Sequence, residues 1–437
     1  MRRAAVWIML VCLLALAPAA FGVERFPPPD FTDHKVPHLV VPGPETRGVG
    51  WIDVVVLSVG LLWASWLSLK GRSRRGVVAL SIISLLYFGF WRRGCVCAIG
   101  SIQNVALGLA DPGYAVPLSV VTLFTLPLVV ALVWGRSFCS GVCPHGAIQD
   151  LVLVKPVKVP TWLDEVLRVL PWIHLAAGVL LAATGGMFLI CKYDPFVGIF
   201  RMAGPRLMLV AGVAMLVLSM FVGRPYCRYL CPYGALLGVA SRFARWRPTV
   251  TPGACTQCRL CETSCPFGAL NPPQPAATAR ERVAGARRRL VSLAVLLPLA
   301  AWGFAWIGGR AALLSMPLHP QGKLAALVAA EARGEISPPL PDELLAFHQH
   351  GADRPAAMSA AMGLERRFLM LGRVIGGLFG LVIALKLARI LFPEPTPDYE
   401  TDSGRCVSCA RCFSACPYEL LRRGVPVAVP EKGGRNG

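Results

Sequence analysis

Charged residues are scarce in this chain. Asp, Glu, Lys and Arg make up 16% of its 437 residues, whereas 55% are hydrophobic. Soluble domains usually carry about 25% charged residues, so this composition excludes an ordinary soluble enzyme and favours a membrane protein. The sequence also lacks a G-x-G-x-x-G fingerprint, a phosphate-binding loop and any pattern typical of a hydrolytic triad. We therefore expect neither dinucleotide nor nucleoside-triphosphate chemistry.

Acidic residues are fewer than basic ones, 24 against 44, which gives a formal net charge of +20. This excess does not indicate nucleic acid as a partner, because membrane proteins collect Lys and Arg on one face for topological reasons. The chain contains 16 cysteines. At this length they do not suit a secreted disulfide scaffold, which is small and rich in loops.

Seven apolar stretches approach the roughly 20 residues that a transmembrane helix needs. They lie at 51–69, 76–91, 116–134, 168–190, 206–222, 290–308 and 368–391. The sequence therefore predicts an α-helical polytopic membrane protein with about seven transmembrane helices. Residues 1–22 have the pattern of a signal peptide, with an uncleaved N-terminal helix as the alternative, and Cys12 within them is expected to be inert. Residues 23–50 are predicted to form an external segment.

The distribution of Lys and Arg predicts which connections are cytoplasmic. With residues 23–50 outside, the inner connections and the C-terminal tail carry 24 of these residues, and the outer segments carry 14. This bias satisfies the positive-inside rule. The C-terminus is therefore expected on the inner face.

Two cysteine runs share the spacing C-x2-C-x2-C-x3-C-P of bacterial ferredoxins. In that pattern the fourth cysteine of each run ligates the other cluster, which predicts two [4Fe-4S] clusters. The expected ligand sets are Cys255, Cys258, Cys261 with Cys416, and Cys406, Cys409, Cys412 with Cys265. Zinc is the alternative that soft thiolates also suit.

The two runs divide the predicted ferredoxin module into two halves. The first half covers 246–285 and the second half, with the tail, covers 392–437; the segment 286–391 between them is expected to be a helical hairpin with an outer loop. Exchange of the fourth ligand requires both halves on one side of the membrane. The charge distribution independently places both on the cytoplasmic face.

A second cysteine pattern occurs twice in the predicted five-span membrane core, 51–245. The motif G-R-x-[FY]-C-x3-C-P-x-G-A begins at Gly135 and again at Gly223, each time after an apolar stretch. Its cysteines, which we call the inner quartet, are Cys139, Cys143, Cys227 and Cys231. The preceding outer segments contribute an outer trio, Cys95, Cys97 and Cys191.

Repetition with the same orientation predicts a pseudo-twofold axis along the membrane normal. Under this symmetry the inner quartet would meet near the inner face and the outer trio near the opposite face. Each set is a candidate for a further Fe–S cluster, another metal site or redox-active dithiols, and the alternative is ordinary packing, since cysteine behaves as a small hydrophobic residue. His145 is a candidate ligand or proton relay. Asp194 is expected to cap a helix, with a quinone contact as the alternative.

At these residues the chain resembles the NosR/NapH family of membrane polyferredoxins. The resemblance covers roughly residues 50–420 and includes both C-x3-C-P motifs, both ferredoxin runs and the phrase R-G-C-V-C-A-I-G-S-I-Q-N from Arg93 to Asn104. It implies a multi-pass protein of the bacterial inner membrane. It also implies transfer of electrons, from a cytoplasmic-face donor or from quinol, toward a periplasmic reductase or its maturation.

One departure from NosR concerns the flavin. NosR carries an external domain that binds FMN covalently at a Thr in an S-G-A-T-like motif, and no such motif is found here. We therefore expect a periplasmic FMN-binding protein or reductase as partner. A C-x-x-C-H motif for covalent haem is also missing.

Two functions of different class follow from the sequence. The first is a membrane-bound iron–sulfur electron carrier with membrane lipid, quinone and a periplasmic redox protein as partners, and oxidation of quinol by the chain itself is left open. The alternative is an assembly factor that reduces or delivers a metal for a respiratory enzyme.

Overall fold

A computed structural model of the chain describes residues 47–94, 97–250, 255–273, 279–337, 340–349, 351, 353–392 and 399–427. The described part is almost wholly helical, and its only strands, β1 (Leu270–Asn271) and β2 (Glu400–Thr401), pair antiparallel. The helical class that the composition predicts is confirmed. The predicted signal peptide or N-terminal helix at 1–22 lies outside the described residues.

The helices follow the expected division into core, ferredoxin halves and hairpin. The core contains α1 (Arg47–Leu69), α2 (Arg74–Ser84, continued as a π-helix over Leu85–Trp91), α3 (Ala98–Ala110), α4 (Leu118–Trp134), α5 (Ser137–Gly141), α6 (Pro144–Leu151), α7 (Thr161–Leu167), α8 (Leu170–Ala183), α9 (Leu189–Lys192), α10 (Pro195–Arg201), α11 (Arg206–Ser219), α12 (Pro225–Tyr229) and α13 (Pro232–Ala240). The first ferredoxin half contributes α14 (Leu260–Ser264). The hairpin contains α15 (Ala279–Leu314), α16 (Pro320–Ala332), α17 (Asp342–Gln349) and α18 (Arg354–Leu391), and the second half contributes α19 (Arg411–Ala415) and α20 (Pro417–Arg422).

Five described helices are long and apolar enough to cross a bilayer. They are Gly48–Leu69, Arg74–Trp91, Thr161–Ala183, Gly285–Leu314 and Arg354–Ala388. Each overlaps a predicted span. Of the other two predicted spans, 116–134 corresponds to α4, a 17-residue apolar helix, and 206–222 falls in a broken pair formed by α10 and α11. The described residues thus give five spans, or six with the broken pair, where the sequence predicts about seven.

The break between α10 and α11 bends the chain by 102°. α10 ends at Met202, whose φ is 50°, and Gly204 has a φ of 142°. Pro205 then precedes α11. Because proline lacks an N–H group and disfavours helical backbone in the residue before it, a straight helix cannot continue through this point.

The segment 92–115 differs from its predicted role as an outer connection. It contains α3, which packs against α4 and α8. Ala98, Ile99 and Ile102 on its first turns are buried in the main apolar core. The start of this helix therefore lies inside the core, together with Cys97 just before it.

The hairpin helices α15 and α18 approach each other closely through glycines. A Cβ on Gly376 would lie 2.2 Å from the carbonyl oxygen of Phe304, and one on Gly380 would lie 2.3 Å from that of Ala300. Small residues allow this approach between membrane helices. Lys386 near the end of α18 pairs with Glu165 at 2.9 Å and so ties the hairpin to the core.

Candidate metal centres

The ferredoxin halves come together around a cavity lined by four thiols. Cys255, Cys258 and Cys261 of the first run and Cys416 of the second run line it, together with the aromatic residues Tyr399 and Tyr418. Strands β1 and β2, one from each half, pair beside it. The chain thus places the fourth cysteine of the second run with the first three of the other run.

The remaining ferredoxin cysteines form a second set. Cys412 interacts electrostatically with Cys406, Cys409 and Cys265, and also with Cys261 of the first set. Cys265 likewise interacts with Cys409. The two sets of four thiols are therefore neighbours, and each contains three cysteines of one run and the fourth of the other.

The loops that carry these thiols have the same unusual backbone in both halves. Gln257 and Arg259 flank Cys258 with φ values of 58° and 60°. Ser408 and Ala410 flank Cys409 with φ values of 54° and 60°. Left-handed backbone is unfavourable for residues other than glycine. Its repetition around the middle cysteine of each run indicates loops shaped to curl around a bound group, so the residues fit a cubane.

Burial and backbone donors act on the ferredoxin thiols in opposite directions. Burial raises the pKa of the Cys261 thiol to about 11 and that of Cys406 to about 12, although backbone N–H groups of Glu262 and Ser408 donate to these sulfurs. Without metal the thiols are protonated at neutral pH. Metal binding, which needs thiolates, therefore releases protons.

The inner quartet also comes together, with one pair from each repeat. Cys143 interacts electrostatically with Cys227, Cys139 and Cys231. Gln149 of the first repeat crosses to the second, where its Nε2 donates to the Sγ of Cys227 at 3.3 Å. Cys139, Cys143 and Cys231 are buried, and Cys227 is partly buried.

A buried arginine from each repeat lies between the inner quartet and the ferredoxin module. The Nη1 of Arg136 donates to the carbonyl of Gly404 at 2.9 Å, and its Nη2 lies 3.7 Å from the Sγ of Cys139. Arg136 also interacts electrostatically with Cys406 and Cys227.

Arg224 occupies the corresponding place in the second repeat. It is 1% exposed, its Nη1 donates to the carbonyl of Cys139, and it interacts electrostatically with Cys227 and with Cys409 of the ferredoxin module. Its guanidinium also lies 5.8 Å from the ring of Phe267. Both arginines belong to the repeated motif, but the sequence analysis did not single them out. Their presence at the same position of both repeats was the available signal.

Asp150 on α6 joins the core to the ferredoxin module. It forms ion pairs with Arg74, with Arg224 at 3.2 Å and with Arg411 of the second ferredoxin half at 3.0 Å. Burial opposes ionisation, but the three guanidinium groups hold the pKa of Asp150 well below its usual range. Ser68 adds a 2.8 Å hydrogen bond to the carbonyl of Ser408.

His145 and Asp194 form a buried pair beside the inner quartet. The Nε2 of His145 lies 2.9 Å from the Oδ2 of Asp194, and its ring stacks on Tyr226 at 5.7 Å. Asp194 also accepts the N–H of Phe196 and so caps α10, as the sequence analysis favoured. His145 Nδ1 is buried without a hydrogen-bond partner.

The outer trio is only partly visible. Cys95 lies outside the described residues. Cys97 lines a cavity with Cys143 and interacts electrostatically with Cys231, which places it beside the inner quartet. Cys191 is exposed and interacts with Cys97. Cys97 thus connects the two sets that were expected near opposite faces, because α3 enters the core.

Nowhere in the described ranges do three His, Cys, Asp or Glu side chains converge as they would around a single metal ion. Four thiolates around a cubane lie further apart than four around one ion. The open spacing of the cysteine sets therefore suits clusters.

Family comparisons match the same parts of the chain. Residues 116–160 and 205–250, which each contain one C-x3-C-P motif, match a family model described as a 4Fe-4S binding domain. Residues 247–270, which contain the first ferredoxin run, match a second model of the same description. No solved structure matches the chain.

Three curated relatives indicate how much of the chain is shared. An uncharacterized protein of Methanocaldococcus jannaschii is 30% identical over 42% of this chain and 77% of its own length. The methylamine utilization ferredoxin-type protein MauN of Paracoccus denitrificans is 30% identical over 41% of this chain and 68% of its own. The regulatory protein NosR of Pseudomonas aeruginosa is 27% identical over 47% of this chain, but the match spans only 30% of NosR.

Proposed function

Because the chain belongs to the NosR/NapH-type family of membrane polyferredoxins, we propose that it passes electrons between a cytoplasmic-face or quinol donor and a periplasmic flavoprotein or reductase. The family makes it an iron–sulfur electron-transfer protein with apolar helices for a membrane. The donor, the acceptor and the direction of transfer belong to the proposal.

The contact between the ferredoxin module and the inner quartet carries this proposal. Arg136 and Arg224 each interact with one ferredoxin cysteine and with cysteines of the quartet. A ferredoxin module that only exchanged electrons with soluble partners would not need this buried connection. Its position supports a route from the module into the membrane core.

The proposed ligands of two [4Fe-4S] clusters are the two sets of ferredoxin thiols. Cys255, Cys258, Cys261 and Cys416 hold one cluster, and Cys406, Cys409, Cys412 and Cys265 hold the other. When bound, the clusters supply one-electron redox chemistry, tuned by burial and by hydrogen bonds to sulfur. The protein holds the thiols, donates backbone N–H groups to them and excludes water.

The orientation belongs to the same proposal. The connections that contain Arg74, Arg136 and Arg224 all contact the ferredoxin module, so they lie on one side of the protein. These are the connections rich in Lys and Arg, which supports the cytoplasmic face of a bacterial inner membrane for that side.

The far end of the route lies at the outer cysteines. Cys97 lies next to the inner quartet, and the exposed Cys191 interacts with it. These residues place sulfur between the core and the surface away from the ferredoxin module. We propose that a periplasmic FMN-binding protein or reductase, or a quinone in the membrane, exchanges electrons here.

Electron flow across vesicles tests the proposal. The purified chain is placed in liposomes with a membrane-impermeant reductant outside and an impermeant acceptor enclosed. We expect acceptor reduction with the full chain and the Cys12→Ser control, and loss of flow in Cys139→Ser/Cys227→Ser with ferredoxin EPR signals retained. Absence of flow in a fully loaded, correctly oriented wild type would overturn the proposal.

A further inference from the structure

The inner quartet lies in a region with more buried positive charge than its carboxylates balance. Arg136 is 6% exposed and Arg224 is 1% exposed. Within the described ranges no carboxylate lies at ion-pair distance from Arg136, whose acceptors are the Gly404 carbonyl and the Cys139 sulfur. Asp150 is shared among Arg224, Arg74 and Arg411.

Several atoms of these arginines also lack hydrogen bonds. The Nε atoms of Arg136, Arg224 and Arg411 and the Nη2 of Arg224 are buried without one. A buried unpaired cation costs several kcal/mol. Polar groups left in this state usually indicate a charged group that the chain itself does not supply.

The four thiols that face this positive region come from symmetry-related positions. Cys139 and Cys227 are the first cysteines of the two motifs, and Cys143 and Cys231 are the second. All four interact electrostatically with one another across the repeats. Each second cysteine precedes the helix that opens at Pro144 or Pro232.

We propose that the inner quartet binds a third, buried [4Fe-4S] cluster between the two repeats, and that Arg136 and Arg224 balance its negative charge. Four thiolates outweigh the positive charge of the iron–sulfide core, so the bound cluster is an anion. The inference rests on the proposed electron-transfer function and supplies its site within the core. Arg136 and Arg224 act as positioning residues, since they do not ligate iron.

The two other assignments of these cysteines leave the charge unexplained. Packed thiols and disulfides are both neutral, so neither would give the guanidinium of Arg136 a charged partner within the core. A cubane is favoured over a smaller cluster because each repeat matches a 4Fe-4S binding domain.

Iron and sulfide quantification on anaerobically purified protein is the first test. Three cubanes give about twelve iron atoms per chain, whereas the ferredoxin runs alone give about eight. About ten iron atoms with a two-iron spectrum would overturn the cubane, and about eight with both ferredoxin signals would overturn the third cluster alone. Loss of the ferredoxin signals themselves would instead contradict the proposed function.

Single Cys143→Ser and Cys231→Ser variants localise the third cluster. We expect each to lose about four iron atoms and one EPR signal while both ferredoxin signals remain. The Cys12→Ser variant should keep all iron. Unchanged iron in both quartet variants would overturn the assignment.

Arg136 variants keep every proposed ligand and so avoid the risk of a failed fold. In Arg136→Met the midpoint potential of the third signal should fall, because a nearby positive charge favours the reduced, more negative cluster. Arg136→Lys should restore most of that potential. A shift confined to ferredoxin signals, or no shift, would overturn the role of Arg136.

Discussion

Arg224 of the second repeat lies over Gly146 of the first, with its Nη1 3.2 Å from the position that a Cβ on Gly146 would occupy. Arg136 of the first repeat has the same relation to Gly234 of the second, with its Nη2 at 3.3 Å. Each repeat thus packs an arginine against the glycine of the other. The exchange explains why both motifs contain an Arg before the cysteines and a Gly after them.

The first prediction concerns these glycines. In Gly146→Ala the added methyl would lie 2.6 Å from the carbonyl oxygen of Cys139, and in Gly234→Ala it would lie 3.0 Å from that of Cys227. Overpacking should lower the free energy of unfolding by about 1–3 kcal/mol, more at Gly146. Thermal unfolding in detergent measures this. Gly303→Ala, with no atom within 4 Å of the new methyl, is the control and should unfold like wild type.

A second prediction separates the ferredoxin clusters. Cys416→Ser should damage the cluster whose other ligands are Cys255, Cys258 and Cys261, and Cys265→Ser should damage the other one. EPR of the reduced proteins distinguishes the two signals. If each variant instead altered the cluster of its own run, ligand exchange between the halves would be wrong.

Asp150→Asn is expected to weaken docking of the ferredoxin module. The change leaves Arg74, Arg224 and Arg411 without their shared carboxylate, and loss of one partner of a buried ion pair costs about 3–5 kcal/mol. Limited proteolysis and thermal unfolding report the loss. Glu343→Gln breaks an exposed pair with Lys323 and should cost less than about 1 kcal/mol.

The pH dependence of this docking follows from the lowered pKa of Asp150. A carboxyl whose folded pKa is depressed stabilises the protein above its unfolded pKa, about 3.9, and loses that contribution as the pH falls. The difference in stability between wild type and Asp150→Asn should therefore stay constant from about pH 6 to pH 8. A difference that disappeared on raising the pH would contradict the ion-pair interpretation.

The hairpin gives a further test that leaves the cysteines untouched. Gly380→Ala places a methyl 2.3 Å from the carbonyl oxygen of Ala300 and should force α15 and α18 apart. We expect faster proteolysis within the hairpin at unchanged iron content. Gly363→Ala, on the same helix α18 but with no atom within 4 Å, should behave like wild type.

Sequence patterns predicted the helical class, the spans with long apolar runs and the pairing of cysteines between repeats, since each depends on local composition or on spacing. They did not predict that α3 would enter the core, because 13 apolar residues are too few to register as a span. The break before α11 was readable from Gly204 and Pro205, but the apolar run hid it.

The contacts of Arg136, Arg224 and Asp150 were beyond sequence reasoning for a different reason. Each depends on how the ferredoxin module sits on the core, and residues such as Arg136 and Gly404 are 268 positions apart. Spacing within a motif predicts local geometry only. Long-range docking appears when the packed structure is known.

The hairpin between the ferredoxin halves also sets an order of events during synthesis. With the proposed ligands, the thiols of Cys255, Cys258 and Cys261 leave the ribosome long before Cys416, and about 150 residues, including two membrane helices, are made in between. Neither ferredoxin site has its full set of ligands until the hairpin has been made. Cluster insertion into this module is therefore a late step of biogenesis that follows membrane insertion.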